Sequence, residues 1–555
     1  MSLPEEFSHG YDFDPKFSKS VAYFSMEFAI DQPLKTYSGG LGFLAGSHMR
    51  SAYEQRQNLI GIGILWKYGY YDQIRKGDQS MDVLFSEKKY SFLTDTRIKF
   101  NIEINGHPVA VKAFFLKPEV FGTVPMFFLS TDLPENDYLA QSTCHKLYDS
   151  DPSARVGQSI LLGVGGATLL EKLGHKPEIY HLNEAHALPA AFHVYSKTRN
   201  VEDVKKRFVF TTHTPEEAGN EKHDINLLDR MGFFCNLPLK EVRKVTGIKD
   251  NTFNHSLGAL RVSHIANGVS KLHGEVSRHM WEKYDDLCPI HHVTNAQNKK
   301  YWLEPDMEEA LNKGDIKKIR EIKRKRKIKL FEEVADQTGK LLDPDVLTVV
   351  WARRYAEYKR PDLITRDAAR FHKLMRQTEH PIQIIWAGKP YPMDYNAIHT
   401  FNHLVRLSES YDNMAVVVGY ELRLSRKLKY GSDVWLNNPR ITREASGTSG
   451  MTAAMNGSVN ISTDDGWMPE FAKDGINSFV LPAVDFKKPH HEQDLEDLNN
   501  LYDILEEKIL PMYYNSPEKW DEITLNSMRD VVPYFDASRM VTEYYDGIYN
   551  FDEQQ

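Results

Sequence analysis

Four cations crowd one short string, Trp351-Ala352-Arg353-Arg354-Tyr355-Ala356-Glu357-Tyr358-Lys359-Arg360. Planar guanidinium forks and an ammonium are groups that grip a phosphate dianion. The string follows the apolar run 346–352, which reads as a parallel strand. In α/β folds, ligands bind beyond the carboxyl ends of such strands. The expectation is an anion site with all four cations directed towards it, and surface salt bridges are the alternative. A second cluster, Glu444-Ala445-Ser446-Gly447-Thr448-Ser449-Gly450-Met451, offers successive N–H groups and hydroxyls. Such a nest can cradle phosphate or sugar hydroxyls. Glu444 can accept from sugar hydroxyls, and Asp464-Asp465-Gly466-Trp467 lies just beyond the next strand.

Tyr37-Ser38-Gly39-Gly40-Leu41-Gly42 sits between a strand and a helix expected over 43–53. Glycines there let backbone N–H groups approach an anion at a helix N-terminus, although tight strand-to-helix turns also use them. His213, in Thr211-Thr212-His213-Thr214-Pro215, ends one strand, and His186, close to Asn183 and Glu184, ends the strand before it. Two histidines at neighbouring strand ends point to a site more than either would alone. The pairs His291-His292 and His490-His491 lack a thiolate or carboxylate spacing that fixes a metal, so no metal site is expected.

Apolar β-rich runs that can hold these groups recur at 21–24, 59–65, 109–116, 125–129, 178–182 and 208–212. They resume at 346–352, 382–387, 414–418, 433–436, 459–462 and 478–481. Continuous rather than alternating runs suit strands buried on both faces, hence parallel sheets flanked by helices. With 555 residues and 41% apolar content, the chain is too long for one core. The plan that follows is α/β, with two doubly wound domains facing across a cleft. The boundary falls near 295–302: domain 1–295 carries the glycine loop, domain 296–500 the phosphate side, and 501–555 forms a helical tail packing back on the first domain. The basic stretch 313–329 reads as a solvated helix face, with a polyanion site as the alternative.

Net charge −8 and the acidic start MSLPEEFSHGYDFD ask for neither nucleic acid nor a secretion pathway. No apolar run approaches the roughly 20 residues that span a bilayer. Three widely spaced cysteines suit a reducing compartment, and the expected location is the cytoplasm.

Taken together, the strings resemble the α-glucan phosphorylases, most closely the shorter bacterial and archaeal branch. The motifs are VAYFSMEF (21–28), YSGGLGFLAG (37–46), STDLPEN (130–136), ILLGVGG (160–166) and HLNEAHA (181–187). TTHTP (211–215), NGVSKLHGEVSRHMW (267–281), ARRYAEYKR (352–360), DVWLNNPR (433–440) and EASGTSGM (444–451) continue the series. The resemblance runs from about residue 21 to 482, and no regulatory extension of the family's kind fits before Val21. It implies a GT-B fold of two Rossmann-like domains and retaining cleavage of α-1,4-glucan by phosphate, yielding glucose 1-phosphate. Gly39, Gly40 and Leu41 would be the loop near the reacting phosphates. Arg354 and Lys359 would grip substrate phosphate, with Arg353, Thr448 and Ser449 near the cofactor phosphate. His213 would touch the glucosyl unit through its carbonyl, Asn295 would hold the 6-hydroxyl, and Glu444, Ser446 and Gly447 the 3- and 4-hydroxyls. Implied partners are a glucan or oligosaccharide, phosphate or a sugar phosphate, and a second copy of the chain as a homodimer.

The string departs from the family at Thr452, where the family has the lysine that bonds pyridoxal phosphate; neither neighbour of Thr452 is lysine. A hydroxyl cannot replace an amine in that bond. Smaller departures are Ala296 after Thr294-Asn295, and Glu216-Glu217 after Pro215. Three readings follow. The protein is a phosphorylase-like transferase with pyridoxal phosphate held non-covalently, a retaining transferase whose donor is a nucleotide sugar, or a non-catalytic glucan-binding regulator. Nearly intact phosphate-gripping cations weigh against the third.

Overall fold

The continuous apolar runs become strands with no exposed face. In the computed structural model, which describes residues 3–551, Leu59–Ile64, Leu347–Ala352 and Ile382–Ala387 are buried at every position. The chain divides into two compact units. One comprises Met1–Tyr70, Phe85–Asn295 and Ala537–Gln555, the other Tyr71–Leu84 and Ala296–Asp536.

The first unit is built on a nine-stranded sheet. Its order is Ile290–His292, Ile265–Gly268, Phe208–Thr211, Ile179–Asn183, Val21–Phe24, Leu59–Ile64, Met126–Ser130, His107–Leu116 and Thr94–Ile104. Pairing is parallel as far as Met126–Ser130 and antiparallel beyond. The apolar run at 109–116 is therefore not a parallel strand. Its edge partner Thr94–Ile104 alternates buried and exposed positions, the pattern of a sheet with one wet face.

The second unit holds a six-stranded, wholly parallel sheet. Its order is Met414–Val417, Ile382–Ala387, Leu347–Ala352, Val434–Asn437, Val459–Ser462 and Ser478–Val480. The strand order reverses between Leu347–Ala352 and Val434–Asn437, and the corresponding reversal in the first sheet lies at Val21–Phe24 and Ile179–Asn183. Crevices at the carboxyl ends of such switch points are where these folds bind ligands.

Three expectations need correction. The segment 501–555 is not one tail on the first unit. Helix Pro517–Tyr534 buries Met528 and Val531 with Met451, Met455 and Trp467 of the second unit. Only the chain from Ala537 onward belongs to the first unit, where Tyr549 Oη lies 2.7 Å from His181 Nδ1 and Tyr544 Oη accepts from Asn267. The hairpin strands Asp72–Arg75 and Met81–Leu84 belong to the second unit, because Gln73 donates to Gly388 O and accepts from Gly419 N. The basic stretch lies in helix Ile316–Thr338, but that helix is not solvated all round: Lys323 and Lys327 are buried.

Among the described residues no helix is long and apolar enough to cross a membrane. Among them, too, no group of three or more His, Cys, Asp or Glu side chains is arranged to hold a metal ion.

Candidate active site

In the second unit, Arg353 follows the strand Leu347–Ala352 directly, and Glu444 lies in the loop that follows the neighbouring strand Val434–Asn437. Glu444 Oε2 accepts from Arg353 Nη2 at 2.6 Å and from Lys359 Nζ at 2.8 Å. All three side chains are buried or nearly so. Burial alone would push the Glu444 carboxyl up, but the two cations hold it down, to about 2. The glutamate therefore stays ionised and fixes both cations in place.

Arg360 stands apart from this set. Its guanidinium is fully buried and donates to Asn438 O, Pro439 O and Asp494, with Asp497 at 2.7 Å. Of the four cations expected at the anion site it is a structural one. Burying it required two carboxylates and two carbonyls as partners. Arg354 is exposed.

The nest opens helix Thr448–Met455, with Gly447 at its N-cap in the left-handed region, φ +90°. Glycine is suited to that conformation. A Cβ built on Gly447 would lie 3.5 Å from Arg353 Nη2, so the nest and the cation cluster adjoin. Gly466 brings the loop Asp464-Asp465-Gly466-Trp467 onto the nest: a Cβ there would fall 2.3 Å from Ser446 O. Trp467 N donates to that same carbonyl, and Asp465 Oδ2 accepts from Glu444 N. Burial raises Asp465 to about 7, so two neighbouring carboxyl groups are driven apart in acidity.

Three buried polar atoms of this cluster have no hydrogen-bond partner among the described residues: Arg353 Nη1, Ser446 Oγ and Ser449 Oγ. Unsatisfied buried polar atoms are costly, and three of them in residues near Gly447 at a helix N-terminus suit a bound anion. The residues present thus fit a phosphate group. Thr452 lies one turn further along the helix, wholly buried, its hydroxyl donating to the carbonyl of Ser449 at 3.1 Å.

In the first unit the glycine loop leads into helix Gly40–Glu54. Cβ atoms on Gly39 or Gly40 would meet nothing within 4 Å, whereas on Gly42 or Gly46 they would collide with Tyr37, Glu27 or Ala29. Gly39-Gly40-Leu41 therefore has open space in front of it. Sequence reasoning missed the group that shapes this loop, Glu27. Its Oε2 accepts from Ser38 N at 2.6 Å and Gly39 N at 3.0 Å, and its Oε1 from Tyr148 Oη at 2.7 Å. A lone carboxylate in the apolar string VAYFSMEF was the available signal.

His213 and Glu184 are joined: the amide of His213 and the hydroxyl of Thr214 both donate to Glu184 Oε1. His213 Nε2 lies 2.7 Å from Asn183 Oδ1, and burial holds the imidazole down at about 3, hence neutral. Burial also raises Glu184 to about 7. Asn295 closes the unit with Oδ1 buried and unpartnered among the described residues, as is His186 Nδ1.

The structure is thus a mixed α/β protein built on parallel sheets, with residues suited to holding a phosphate group gathered at the switch point of the second sheet. The carbohydrate phosphorylase family pattern matches residues 305–477. An uncharacterized protein of Methanocaldococcus jannaschii is 46% identical over 96% of this chain and 100% of its own. Maltodextrin phosphorylase of Thermococcus litoralis is 32% identical over 97% of this chain and 71% of its own. Glycogen phosphorylase of Mycobacterium tuberculosis is 31% identical over 95% and 70%. The chain belongs to the carbohydrate phosphorylase family.

Proposed function

We propose that the protein is a retaining glucosyltransferase of the phosphorylase type, exchanging a glucosyl unit between an α-1,4-glucan and phosphate. In this reading it holds pyridoxal phosphate without a covalent bond. The observation that carries the reading is the buried trio Arg353 Nη1, Ser446 Oγ and Ser449 Oγ, without hydrogen-bond partners among the described residues, in residues near Gly447 and Glu444. The names of the maltodextrin and glycogen phosphorylases support the substrate class.

Arg353, Ser446, Thr448 and Ser449 would hold the cofactor's phosphate. When bound, the cofactor supplies that phosphate as a proton-exchanging group beside substrate phosphate. Arg354 and Lys359 grip the substrate phosphate and stabilise the negative charge that grows on it as the glycosidic carbon–oxygen bond changes partner. Glu444, held ionised, keeps Arg353 and Lys359 oriented before any ligand arrives, so no reorganisation is needed at the transition state. Holding the glucosyl unit through Asn295 and the His213 carbonyl is part of the same proposal. Thr452 stands where the resemblance puts the lysine, and its hydroxyl is spent on the helix backbone. Lysine there serves chiefly as a tether, so its loss weakens cofactor binding without removing the phosphate chemistry.

Titration with pyridoxal phosphate followed by borohydride reduction and peptide mass analysis tests the reading. The expected result is saturable binding that dialysis reverses, with every peptide at its unmodified mass. A pyridoxyl group fixed stoichiometrically to the peptide containing Met451-Thr452 or to a lysine of the proposed site overturns the non-covalent claim. Stabilisation by nucleotide sugars, with none by pyridoxal phosphate, would replace the reading by the changed-donor one.

A further inference from the structure

The basic helix Ile316–Thr338 places Arg320, Lys323, Arg324 and Lys327 on one face, at spacings of three and four residues. Beneath that face, inside the second unit, lies a cavity of about 340 Å³. That is within the range of roughly 300–1,000 Å³ typical of small-molecule sites. Three of the cations already have carboxylates. Asp521 takes Arg320 through Nε and Nη2, Asp345 takes Arg324 at 2.9 and 3.0 Å, and Asp433 takes Lys327 at 2.6 Å.

Lys323 has none. It is 9% exposed, and its Nζ donates to Asn456 O at 2.7 Å and Ser458 Oγ at 3.2 Å, both neutral. An ammonium has three donors, so one remains. Arg320 and Arg324 each keep Nη1 outside their carboxylate pairs. The cavity is lined by four basic side chains, Arg320, Lys323, Arg324 and Lys327, and by three carboxylates, Asp345, Asp433 and Asp521. The lining also includes an aromatic pair, Trp520 packed edge-on to Tyr513 with ring centroids 5.5 Å apart.

We propose that this cavity binds a small aromatic phosphomonoester, its oxygens on Lys323, Arg320 and Arg324 and its ring against Trp520. A bound dianion would favour the protonated form of Lys323 and could accept from its remaining N–H and from the two arginines. Asn456, whose carbonyl holds Lys323, also donates to the carbonyl of Thr452, so the ligand would sit behind the helix that forms the nest.

Binding should draw in a proton. Burial lowers Lys323 to about 7, with Asp433 raising it and Lys327 lowering it further. The other charged or titratable groups around the cavity are Asp345, Asp521, Arg320, Arg324 and Tyr513. At pH 8 the free amine is therefore largely neutral, and a phosphate dianion favours its charged form.

The test is calorimetric titration of phenyl phosphate at pH 8, in two buffers of different ionisation heat. The protein carries Arg353→Ala together with Arg354→Ala, which removes the main cation of the proposed cofactor-phosphate cradle as well as the exposed cation of the substrate-phosphate grip, so that phenyl phosphate bound at the proposed active site is distinguished from phenyl phosphate bound here. The expected result is one binding event with net proton uptake. It weakens at least tenfold and loses the uptake in Lys323→Met. It weakens severalfold in Arg324→Gln, a substitution of a half-exposed side chain that keeps the protein testable if the buried variant does not fold. Absence of binding in the Arg353→Ala, Arg354→Ala protein would overturn the proposal. So would undiminished affinity in both further variants, or inorganic phosphate binding as tightly as phenyl phosphate.

Discussion

Arg353 gives one terminal nitrogen to Glu444 at 2.6 Å and keeps the other buried, without a partner among the described residues. The same Glu444 oxygen also holds Lys359. One carboxylate therefore restrains two cations while leaving one guanidinium edge for a ligand.

Replacing Glu444 by Gln should leave two buried cations uncompensated. Breaking a buried pair in this way costs about 3–5 kcal/mol. Phosphate should stabilise the variant more than it stabilises the parent, because the anion takes over the lost counter-charge. Thermal unfolding with and without phosphate measures both effects. An equal phosphate shift in the two proteins would contradict the account.

The same carboxyl sets an acid limit. Its folded value of about 2 lies below the ordinary 4.5, so its stabilisation is complete above that ordinary value and is lost as pH falls through about 2. The contribution is about 3 kcal/mol, at roughly 1.4 kcal/mol per unit. Acid unfolding should be less steep in Glu444→Gln than in the parent over that window.

Glu184 behaves in the opposite sense. Its folded value, about 7, lies above 4.5, so its contribution is fully present below 4.5 and is lost as pH rises through 7. Glu184→Gln keeps an Oε1 acceptor for the His213 amide and the Thr214 hydroxyl and cannot ionise. It should flatten the stability profile between these values and gain up to about 3 kcal/mol on the parent at pH 8. Parallel denaturant titrations at pH 5 and pH 8 decide; identical slopes in the two proteins would contradict the assignment.

Two glycines should separate packing from ligand approach. A Cβ on Gly388 would lie 1.9 Å from the carbonyl oxygen of Arg353, so Gly388→Ala should cost about 1–3 kcal/mol and displace the cradle's main cation. Gly39 has open space and an extended φ of −164°, so Gly39→Ala should leave stability within about 0.5 kcal/mol and weaken binding of glucose 1-phosphate. Denaturation and calorimetry on both variants check the contrast.

Thr452→Lys should accept pyridoxal phosphate covalently. The position is wholly buried one turn into the nest helix, and a dry site lowers a lysine's pKa towards the reactive range. A borohydride-stable pyridoxyl group on residue 452 is the expected readout. Failure to bind cofactor in this variant would mean that the pocket is shaped for another group.

Much of this was legible from apolar runs alone. The strands that lead to Arg353, Glu444 and His213 lie where unbroken apolar stretches put them, because strands buried on both faces leave no polar periodicity to confuse. Other features depend on contacts distant in sequence. Arg360 reads like Arg354, and only the burial of Asp494 and Asp497 against it makes it structural. Lys323 and Lys327 read as surface charge within a basic run, and their burial is set by Asn456, Ser458 and Asp433, more than a hundred residues away. The alternating strand Thr94–Ile104 escaped a search for continuous runs. The assignment of 501–536 to the second unit follows from where Met528 and Val531 find apolar partners.

Release of glucose 1-phosphate from maltoheptaose in the presence of phosphate tests the central claim most directly, with pyridoxal phosphate added and then removed by gel filtration. The account predicts release that requires the added cofactor, disappears when it is removed and returns on re-addition, and is abolished in Arg353→Ala. Release that survives complete removal of the cofactor, or no release while the protein binds maltoheptaose and neither phosphate nor cofactor, would contradict it.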